Sequence, residues 1–417
     1  MASLNSVAPL LRELWTDTMN TAFSNEIVLL SRIEDSPDGV RTDASGRYTI
    51  IPVHVTRNQG IGSRPEHGIK PLPGRQGYVG ARVTARAQHI VGSVTSHTLA
   101  LADGDPRSFA VAIDREFEGM RNDARKDYAR MVWSPFTGEL AEVTAVNGDT
   151  VSVDKVMYLS RNMVIDSVDN SDPANPALNA SERVIESVTY DEDFDGGHTK
   201  DIVLDDATGV SVGDILVRHG NFNQEIQGMF DLIDDEEPIQ NIDPDDVEEW
   251  KSLIIGKDRD AEPWNEVEAV RANQLIYRRT GRNISAMYSG DGVQRAIFSE
   301  LKQNREFVNT QEFAHGFTAL PLAVGTNTFP LFADPDYPED FGAEEGSITG
   351  VDESMVSIFR EESGWHFSEE TGSMFYRSQD RTDSFEFHMR QFSQLGVHLR
   401  NCHFRIENLQ TAEYQGE

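Results

Sequence analysis

The stretch Arg57-Asn-Gln-Gly-Ile-Gly-Ser-Arg-Pro-Glu-His-Gly-Ile-Lys-Pro-Leu-Pro-Gly-Arg-Gln-Gly-Tyr78 decides how this chain is organised. It is rich in glycine and proline and has little apolar periodicity, which predicts a loop rather than a helix or a strand. The flanking segments Ile50–Val55 and Tyr78–Val91 have the composition of strands, so we predict a long two-stranded excursion. Loops of this length without structure of their own are uncommon in compact domains and usually have a function.

A long helix is predicted after the loop. Asp105 is a suitable N-cap, and Pro106 suits the first helical position, where its missing N–H has no partner to lose. An apolar stripe with three- and four-residue spacing consists of Phe109, Ile113, Phe117, Met120, Ala124, Tyr128 and Val132. The pattern ends near Trp133, before Pro135, and predicts a helix about 40 Å long at ~1.5 Å per residue. A coiled coil would need heptads sustained over several more turns, so we expect a structural spine.

Residues 139–225 change to a period of two. Asn147-Gly148 lies between two alternating segments and predicts a hairpin turn. Further strands are predicted at Met157–Val168, Arg183–Tyr190, Ile202–Leu204 and Gly213–Arg218. Several short strands joined by regular turns indicate a small barrel or sandwich, inserted as a unit.

The remainder of the chain mixes helix and strand. Residues 5–31 predict an amphipathic arm, which either begins a domain in the ordinary way or packs on a neighbouring molecule. After residue 225 the predicted helices are Asp243–Ile255, Trp264–Thr280 and Asp291–Asn304. Strand-like alternation returns between Met355 and Leu409. The expected fold class is therefore α+β.

The charge is unevenly distributed. The 417 residues carry 37 Lys and Arg against 70 Asp and Glu, a formal net charge of −33. This balance argues against a nucleic-acid reader and against a protein held on anionic lipid. Residues 51–90 nevertheless hold six basic residues and one acidic residue, whereas residues 231–250 hold ten acidic residues and no basic one. A basic loop on an acidic protein favours an acidic partner, such as another copy of the chain; the alternative is that the arginines only solubilise the loop.

No motif of a catalytic, cofactor or metal site stands out. There is no nucleophile elbow, metalloprotease motif or phosphate-binding loop. Asp191-Glu-Asp-Phe-Asp-Gly196 is similar to the start of a calcium loop, but its twelfth position is Ile202 rather than Glu, which favours an acidic hairpin turn. The single cysteine, Cys402, lies in an apolar segment and is interpreted as a core residue. We therefore expect no catalytic residue, no cofactor and no metal.

The sequence also allows predictions about the cellular location of the protein. The first 31 residues lack the basic and apolar regions of a signal peptide. No apolar run approaches the ~20 residues of a membrane span. We expect a soluble protein made in the cytoplasm, without a membrane partner.

The order of these elements resembles the major capsid proteins of tailed phages, whose Hong Kong 97-like shell fold is shared by encapsulins. The resemblance is carried by Arg57–Gly68 with Leu72, Pro73, Gly74, Gln76 and Tyr78, by Asp105–Met120 with Asp123, Arg125 and Asp127, and by Gln303–Phe307 and Pro330–Asp334. It extends over nearly the whole chain and is most specific from Val53 to Trp133.

The resemblance implies a division of the chain and a set of contact residues. The implied parts are an N-terminal arm (1–47), an E-loop with flanking strands (48–92), a peripheral domain with a spine helix (93–138), a β-rich insertion domain (139–225), an axial domain (226–350) and C-terminal strands shared by the peripheral and axial domains (351–417). The implied inter-subunit contacts of the E-loop are Arg57, Arg64, Glu66, Lys70, Arg75 and Tyr78. The implied spine residues are Phe109, Ile113, Phe117, Met120 and Tyr128.

The implied function is self-assembly into hexamers and pentamers of an icosahedral shell that encloses double-stranded phage DNA without reading its sequence. The implied location is the virion capsid, assembled in the host cytoplasm, with a portal protein and a scaffolding or cement protein as partners. About fifty residues precede the E-loop, so a scaffold would be a separate protein or absent. Lys70 is the loop's lysine, but neither a partner Asn nor a catalytic acid is matched, so we expect no covalent cross-link.

Two alternatives stay open at this point. One is an encapsulin-like nanocompartment shell, which the chain length and the inserted β-rich region make less favoured. The other, from a different functional class, is a carbohydrate-active or calcium-binding enzyme built on the β-rich region. A megadalton shell or a stable monomer would distinguish assembly from the second alternative.

Overall fold

The structure is a computed structural model that describes residues 15–21, 23, 27–35, 41–43, 46–56, 58, 60–95, 106–171, 175–193, 197–257, 259–303, 311–312, 318–324, 327–338, 345–361, 364–368, 375–377 and 384–411. Within them the chain forms two large open sheets, a closed barrel and a three-stranded sheet, together with helices. The mixture of helix and strand confirms the α+β class. No helix in these ranges is both long and apolar enough to span a lipid bilayer.

The first sheet is organised around one long strand, β21 (Ser384–Val397). Strand β5 (Arg86–Thr95) runs antiparallel along one side of it and places Gly92 opposite Phe387. A Cβ at Gly92 would overlap the Phe387 ring, so this position needs glycine. The other side carries β18 (Val356–Arg360), β19 (His366–Phe367) and β20 (Tyr376–Arg377), and β1 (Glu34–Asp35) pairs in parallel with β18.

Helix α1 (Pro106–Trp133) packs against this sheet and confirms the predicted long helix. Its last turns, from Tyr128 to Trp133, are fully buried in the main core. Further back along the helix, Phe117 stacks on Trp15 of the N-terminal helical segment 15–21, with ring centroids 4.4 Å apart. The described part of the arm therefore packs on its own chain.

The second open sheet carries two helices. Its strands, in spatial order, are β12 (Leu253–Ile255), β22 (Phe404–Gln410), β17 (Glu345–Val351), β13 (Ala286–Ser289), β16 (Asn327–Ala333), β15 (Thr318–Val324) and β14 (Gln311–Glu312). Helix α2 is a single turn (Met229–Leu232), whereas α3 (Glu266–Thr280) and α4 (Asp291–Gln303) bury Ile276 and Ile297 in a second core with this sheet. Asn265 caps α3, and Gly281 ends it at φ 76°, so the helix ends at Thr280 as predicted.

The β-rich region is a closed barrel with its own core. Around the barrel the order is β10 (Gly197–Leu204), β7 (Thr150–Val153), β6 (Glu139–Asn147), β11 (Ile215–Arg218), β8 (Val164–Asp169) and β9 (Ala177–Asp193). The predicted hairpin is present, with Asn147 paired to Thr150 and Gly148 at φ 64°. Strands β9 and β10 pair as an antiparallel hairpin, which supports the hairpin interpretation of Asp191–Gly196, although residues 194–196 lie outside the described residues.

Four sequence predictions are wrong or incomplete. Asp243–Ile255 is not a helix: the Asp243 side chain accepts a hydrogen bond from Asp245 N, and a turn, the 3₁₀ helix Glu248–Trp250 and β12 follow. The predicted strand Tyr78–Val91 is divided between β4 (Gly77–Thr84), which belongs to the three-stranded sheet, and β5, which belongs to the first sheet. The predicted strand Met157–Val168 begins only at Val164. Cys402 is buried as predicted, but in the 3₁₀ helix Arg400–Cys402 rather than in a strand.

Candidate assembly interface

The glycine- and proline-rich loop between β3 and β4 extends from a hairpin that is packed on the main core. Strand β3 (Gly46–Thr56) pairs antiparallel with β4 (Gly77–Thr84), and β2 (Arg41–Asp43) adds to β3. Alternate residues on one face, Val53 and Ala81 among them, are buried in the main core. The opposite face is open, and Ile50 is 57% exposed. This alternation fixes the register of the hairpin, because a one-residue slip would turn the apolar set outward.

The two limbs of the loop are tied together by one side chain. Asn58 Oδ1 accepts hydrogen bonds from Gly60 N at 2.7 Å and from Gly74 N at 3.1 Å. The limbs lie so close here that a Cβ on Gly60 would be 3.3 Å from the Leu72 carbonyl oxygen. Glycine at this position therefore permits the close approach, and Asn58 fixes it.

The tip of the loop has its own local structure. Gly68 N donates to the Pro65 carbonyl at 2.7 Å, closing a turn. Arg64 crosses the tip, since its Nε donates to the Ile69 carbonyl at 3.2 Å and its Nη1 to the Ser63 carbonyl at 3.1 Å. The donors and acceptors of these hydrogen bonds all belong to the loop, so the loop itself fixes the conformation of its tip.

The side chains of the loop face solvent. Ile61, Ile69 and Leu72 are 87%, 89% and 86% exposed. The predicted contact residues Arg64, Glu66, Lys70 and Arg75 are exposed as well, and Tyr78 is exposed while its hydroxyl donates to Gln76 Oε1. Arg57 lies outside the described residues. An ordered loop with large apolar groups held in water is typical of a surface that a partner covers.

The exposed apolar residues were not singled out by the sequence, nor was Asn58. The available signal was the placement of isolated Ile and Leu residues in a stretch otherwise made of Gly, Pro and charged residues. Asn58 could have been found as a side chain able to bond backbone amides next to two glycines.

The predicted spine residues whose side chains the structure describes lie in the core rather than at a surface. Phe117 and Tyr128 are buried, and Met120 packs against the main core. The Tyr128 hydroxyl is 3.0 Å from Ser393 Oγ of β21. Phe109 and Ile113 belong to α1, but their side chains lie outside those that the structure describes.

The acidic stretch 231–250 divides into a buried and an exposed part. Asp231 accepts a hydrogen bond from Phe136 N at 2.7 Å, and burial raises its pKa to about 7. The side chains of Glu236, Asp245 and Glu248 are exposed by 71%, 88% and 81%. Lys251 and Lys257 contact some of these carboxylates and offset part of their charge. The exposed part is an acidic surface that complements the basic loop in sign.

A comparison with solved structures identifies the fold. The capsid asymmetric unit of cyanophage A-1(L) matches it with a TM-score of 0.50 at 10% sequence identity, over 93% of this chain and 92% of that one. The chain has the Hong Kong 97-like capsid fold. This assignment rests on structure and extends over nearly the whole length of both chains.

Two further structures match with lower scores. The capsid of a native GTA particle has a TM-score of 0.45 at 9% identity, covering 91% of this chain and 89% of that one. The holo-SrpI encapsulin complex from Synechococcus elongatus PCC 7942 has a TM-score of 0.44 at 10% identity, covering 93% and 89%. No family model matches the sequence, and no curated protein is significantly similar to it. The capsid fold is thus visible in the structure and not in sequence identity.

Proposed function

We propose that this chain is the major capsid protein of a tailed phage, which self-assembles into hexamers and pentamers of an icosahedral shell. The observation that carries the proposal is the match, over almost the full length of both chains, to the capsid unit of cyanophage A-1(L). The exposed, internally ordered loop supports it, because such a loop is suited to contact another subunit.

The loop supplies the first half of the proposed contact. Ile61, Ile69 and Leu72 gain from leaving water when a neighbouring subunit covers them, at roughly 25 cal/mol per Å² of apolar area buried. The hydrogen bonds of Asn58 and Arg64 hold the loop in shape before contact, which lowers the entropy lost on association. Residues 48–92 would therefore be the E-loop with its flanking strands, and the loop would lie over a neighbouring copy.

Opposite charges on the loop and on the acidic surface are the second contribution to the proposed contact between subunits. The loop carries Arg64, Lys70 and Arg75 against Glu66, while each copy presents exposed carboxylates between residues 236 and 249 and elsewhere. Opposite charges on the two surfaces orient the subunits as they meet and disfavour wrong pairings. Because these charges are solvent-exposed, salt screens them over about 8–10 Å at moderate ionic strength.

The remaining parts are assigned by the same proposal. Residues 1–47 would be the N-terminal arm, 93–138 the peripheral domain with its spine, 139–225 the insertion domain, 226–350 the axial domain and 351–417 the C-terminal strands that two domains share. The closed barrel with its separate core supports the insertion domain. The second open sheet with α3 and α4 supports the axial domain.

The shell would enclose double-stranded DNA in the virion, after assembly in the host cytoplasm. A lining of net negative charge would contain the DNA without gripping its phosphates, which fits the net charge of −33. A portal protein, and a separate scaffolding or cement protein, would complete the particle.

The test is the size of the purified protein. Light scattering after size exclusion and negative-stain microscopy should show closed shells of megadalton mass. A variant in which a Gly-Asn-Gly linker replaces residues 58–76 should stay folded by circular dichroism but fail to form shells. A wild-type protein that remains a monomer at high concentration would contradict the proposal. Shells filled with a protein cargo instead of DNA would assign the chain to the encapsulin-like alternative.

A further inference from the structure

Strand β5 is an unprotected edge of the first sheet. It pairs with β21 along one side and with no other strand among the residues that the structure describes. Within those residues, the backbone of Ala87–Ser93 has no further hydrogen-bond partner. This stretch contains no Lys, Arg, Asp, Glu or Pro, the residues that usually protect an edge strand from pairing. Its outer row of backbone N–H and C=O groups is therefore available to another strand.

A groove with a volume of about 620 Å³ runs along this edge. The five consecutive residues Ala87–Val91 all line it. Successive side chains of a strand point to opposite faces of the sheet, so a groove that touches all five residues follows the edge of β5 rather than one face. These residues span about 17 Å at ~3.3 Å per residue, which is the length of a short strand.

Helix α1 forms the opposite wall of the groove. Its lining residues recur every three or four positions, so they form one stripe along the helix. They include Glu116, Gly119, Met120, Asp123, Ala124 and Tyr128. Met120 and Ala124 supply apolar surface, and Gly119 leaves room, because a Cβ there would meet nothing within 4 Å. A strand added to the edge of β5 would place alternate side chains against this wall.

The helical wall carries unpaired negative charge. Glu116 and Asp123 are exposed, and neither has an ion-pair partner in the part of the chain that the structure describes. Asp127, by contrast, lies 3.3 Å from Arg130 and 3.3 Å from Arg218, so its charge is already offset. Because the two unpaired carboxylates line the groove, a peptide with basic side chains complements it in sign.

We propose that the groove between β5 and α1 binds an extended, basic segment of a separate protein, which pairs with β5 as an additional strand. Hydrogen bonds along the backbone of β5 supply the affinity, and alternate side chains supply the specificity. Lys or Arg side chains of the segment face Glu116 and Asp123, while apolar ones contact Met120 and Ala124. The inference goes beyond self-assembly, because it concerns a partner that the folded subunit binds.

The basic loop of a second copy fits this groove less well. Its two limbs are tied to each other by Asn58, which bonds Gly60 N and Gly74 N. The limb that carries Lys70 also contains Pro71 and Pro73, which lack the N–H groups that a pairing strand donates. A segment of a separate protein is free of both constraints.

Fluorescence anisotropy of the full, tag-free chain with a labelled peptide tests the site. The probe is the heptapeptide Lys-Val-Lys-Val-Lys-Val-Lys, which alternates basic and apolar side chains. We expect saturable binding that is at least tenfold weaker for the fully N-methylated peptide, because that peptide keeps the charge but cannot donate along β5. Unlabelled Glu-Val-Glu-Val-Glu-Val-Glu should not compete. Absence of binding, or equal binding of the N-methylated peptide, would overturn the proposal.

Two variants of the helical wall locate the peptide. Gly119→Trp fills the groove at a position that is open in the folded chain, so it should weaken binding at least tenfold with an unchanged circular dichroism spectrum. The double variant Glu116→Gln with Asp123→Asn should also weaken binding. Its matched control, Asp245→Asn with Glu248→Gln, removes the same charge from an exposed surface elsewhere and should not. Equal binding by the two double variants would contradict the role of the acidic wall.

Hydrogen exchange provides a readout that does not depend on a variant. The amides of Ala87–Ser93 should exchange more slowly when the peptide is bound, whereas those of the neighbouring strand β4 should not change. Unchanged exchange in β5 would overturn the proposal.

Shell assembly distinguishes the site from the proposed function. Loss of peptide binding in a Gly119→Trp protein that assembles like the wild type would support a separate partner. Loss of assembly in Gly119→Trp, together with a wild type that does not bind the peptide, would assign the edge to a second copy and overturn the proposal. A wild type that binds the peptide but forms no shells would contradict the proposed function and support the present inference.

Discussion

Arg130 of helix α1 donates from Nη2 to both carboxylate oxygens of Glu225, at 2.7 and 2.8 Å, and both side chains are buried. Burial alone would lower the pKa of Arg130, but the carboxylates of Glu225 and Asp127 raise it above its ordinary value, so Arg130 is charged. Glu225 lies where the chain leaves the barrel. The ion pair therefore joins the spine helix to the β-rich unit.

Breaking this pair should be costly, because a buried charge would lose its partner. We expect Glu225→Ala to lower the free energy of unfolding by about 3–5 kcal/mol. The double variant Arg130→Met with Glu225→Leu should lose much less, since neither charge remains buried. Guanidinium denaturation of the three proteins measures both effects. A Glu225→Ala protein within ~1 kcal/mol of the wild type would show that the pair is not structural.

Two glycines at the spine helix differ in the space available for a side chain, so their alanine variants form a matched pair. A Cβ on Gly228 would overlap the Ser134 carbonyl and lie 2.7 Å from the Met131 carbonyl, whereas a Cβ on Gly119 would meet nothing within 4 Å. Gly228→Ala should therefore destabilise the protein by about 1–3 kcal/mol. Gly119→Ala, on an exposed helical position, should stabilise it by about 0.5–1 kcal/mol. Thermal unfolding of both variants checks the opposite signs.

The stability of the fold should depend on pH through Asp231. Its pKa is about 7 in the folded protein, mainly because of burial, and close to 3.9 when unfolded. The folded state therefore holds a proton that the unfolded state has lost, and this contribution to stability decreases as pH rises from about 4 to 7. Asp231→Asn keeps an acceptor for Phe136 N and removes the titration.

The measurement is the stability difference between Asp231→Asn and the wild type across pH. The variant should gain up to about 4 kcal/mol relative to the wild type between pH 4 and pH 8. Taking the difference cancels the other titrating groups. A difference that is constant with pH would contradict the raised pKa of Asp231.

The charges of the loop should matter for assembly and not for folding. A variant with Ala at Arg64, Lys70 and Arg75 should assemble more slowly and form fewer shells at low salt, with unchanged unfolding. Rising ionic strength should weaken wild-type assembly more than assembly of this variant. A variant with Ala at Arg161, Arg271 and Arg278, which are also exposed, controls for net charge. Equal salt dependence of all three proteins would remove the electrostatic part of the proposal.

Much of the fold could be predicted from sequence because local signals agreed with burial. The stripe through Phe117 and Tyr128 predicts α1, and Gly281 marks the end of α3. The helix predicted for Asp243–Ile255 does not form, because Asp243 closes a turn with its own side chain and Trp250 is buried by the tertiary fold. Pairings between distant segments, such as Arg130 with Glu225, leave no periodicity in the sequence.

The candidate interface was only partly predictable, because part of it depends on contacts between residues that are distant in the sequence. Arg64, Lys70 and Arg75 stand out as charges, so the sequence indicates them directly. The exposure of Ile69 and Leu72 is a property of the folded loop, whose two sides are joined by the hydrogen bonds of Asn58 to Gly60 and Gly74. That contact joins residues 16 positions apart and becomes visible only once the hairpin is formed.

The most direct test of the account is a cryo-electron microscopy reconstruction of particles assembled from the purified chain. The account predicts a closed icosahedral shell of hexamers and pentamers in which Ile61, Ile69 and Leu72 of one subunit are buried against the next. Particles that are absent at every protein and salt concentration, or a shell in which residues 58–76 contact no other subunit, would contradict it.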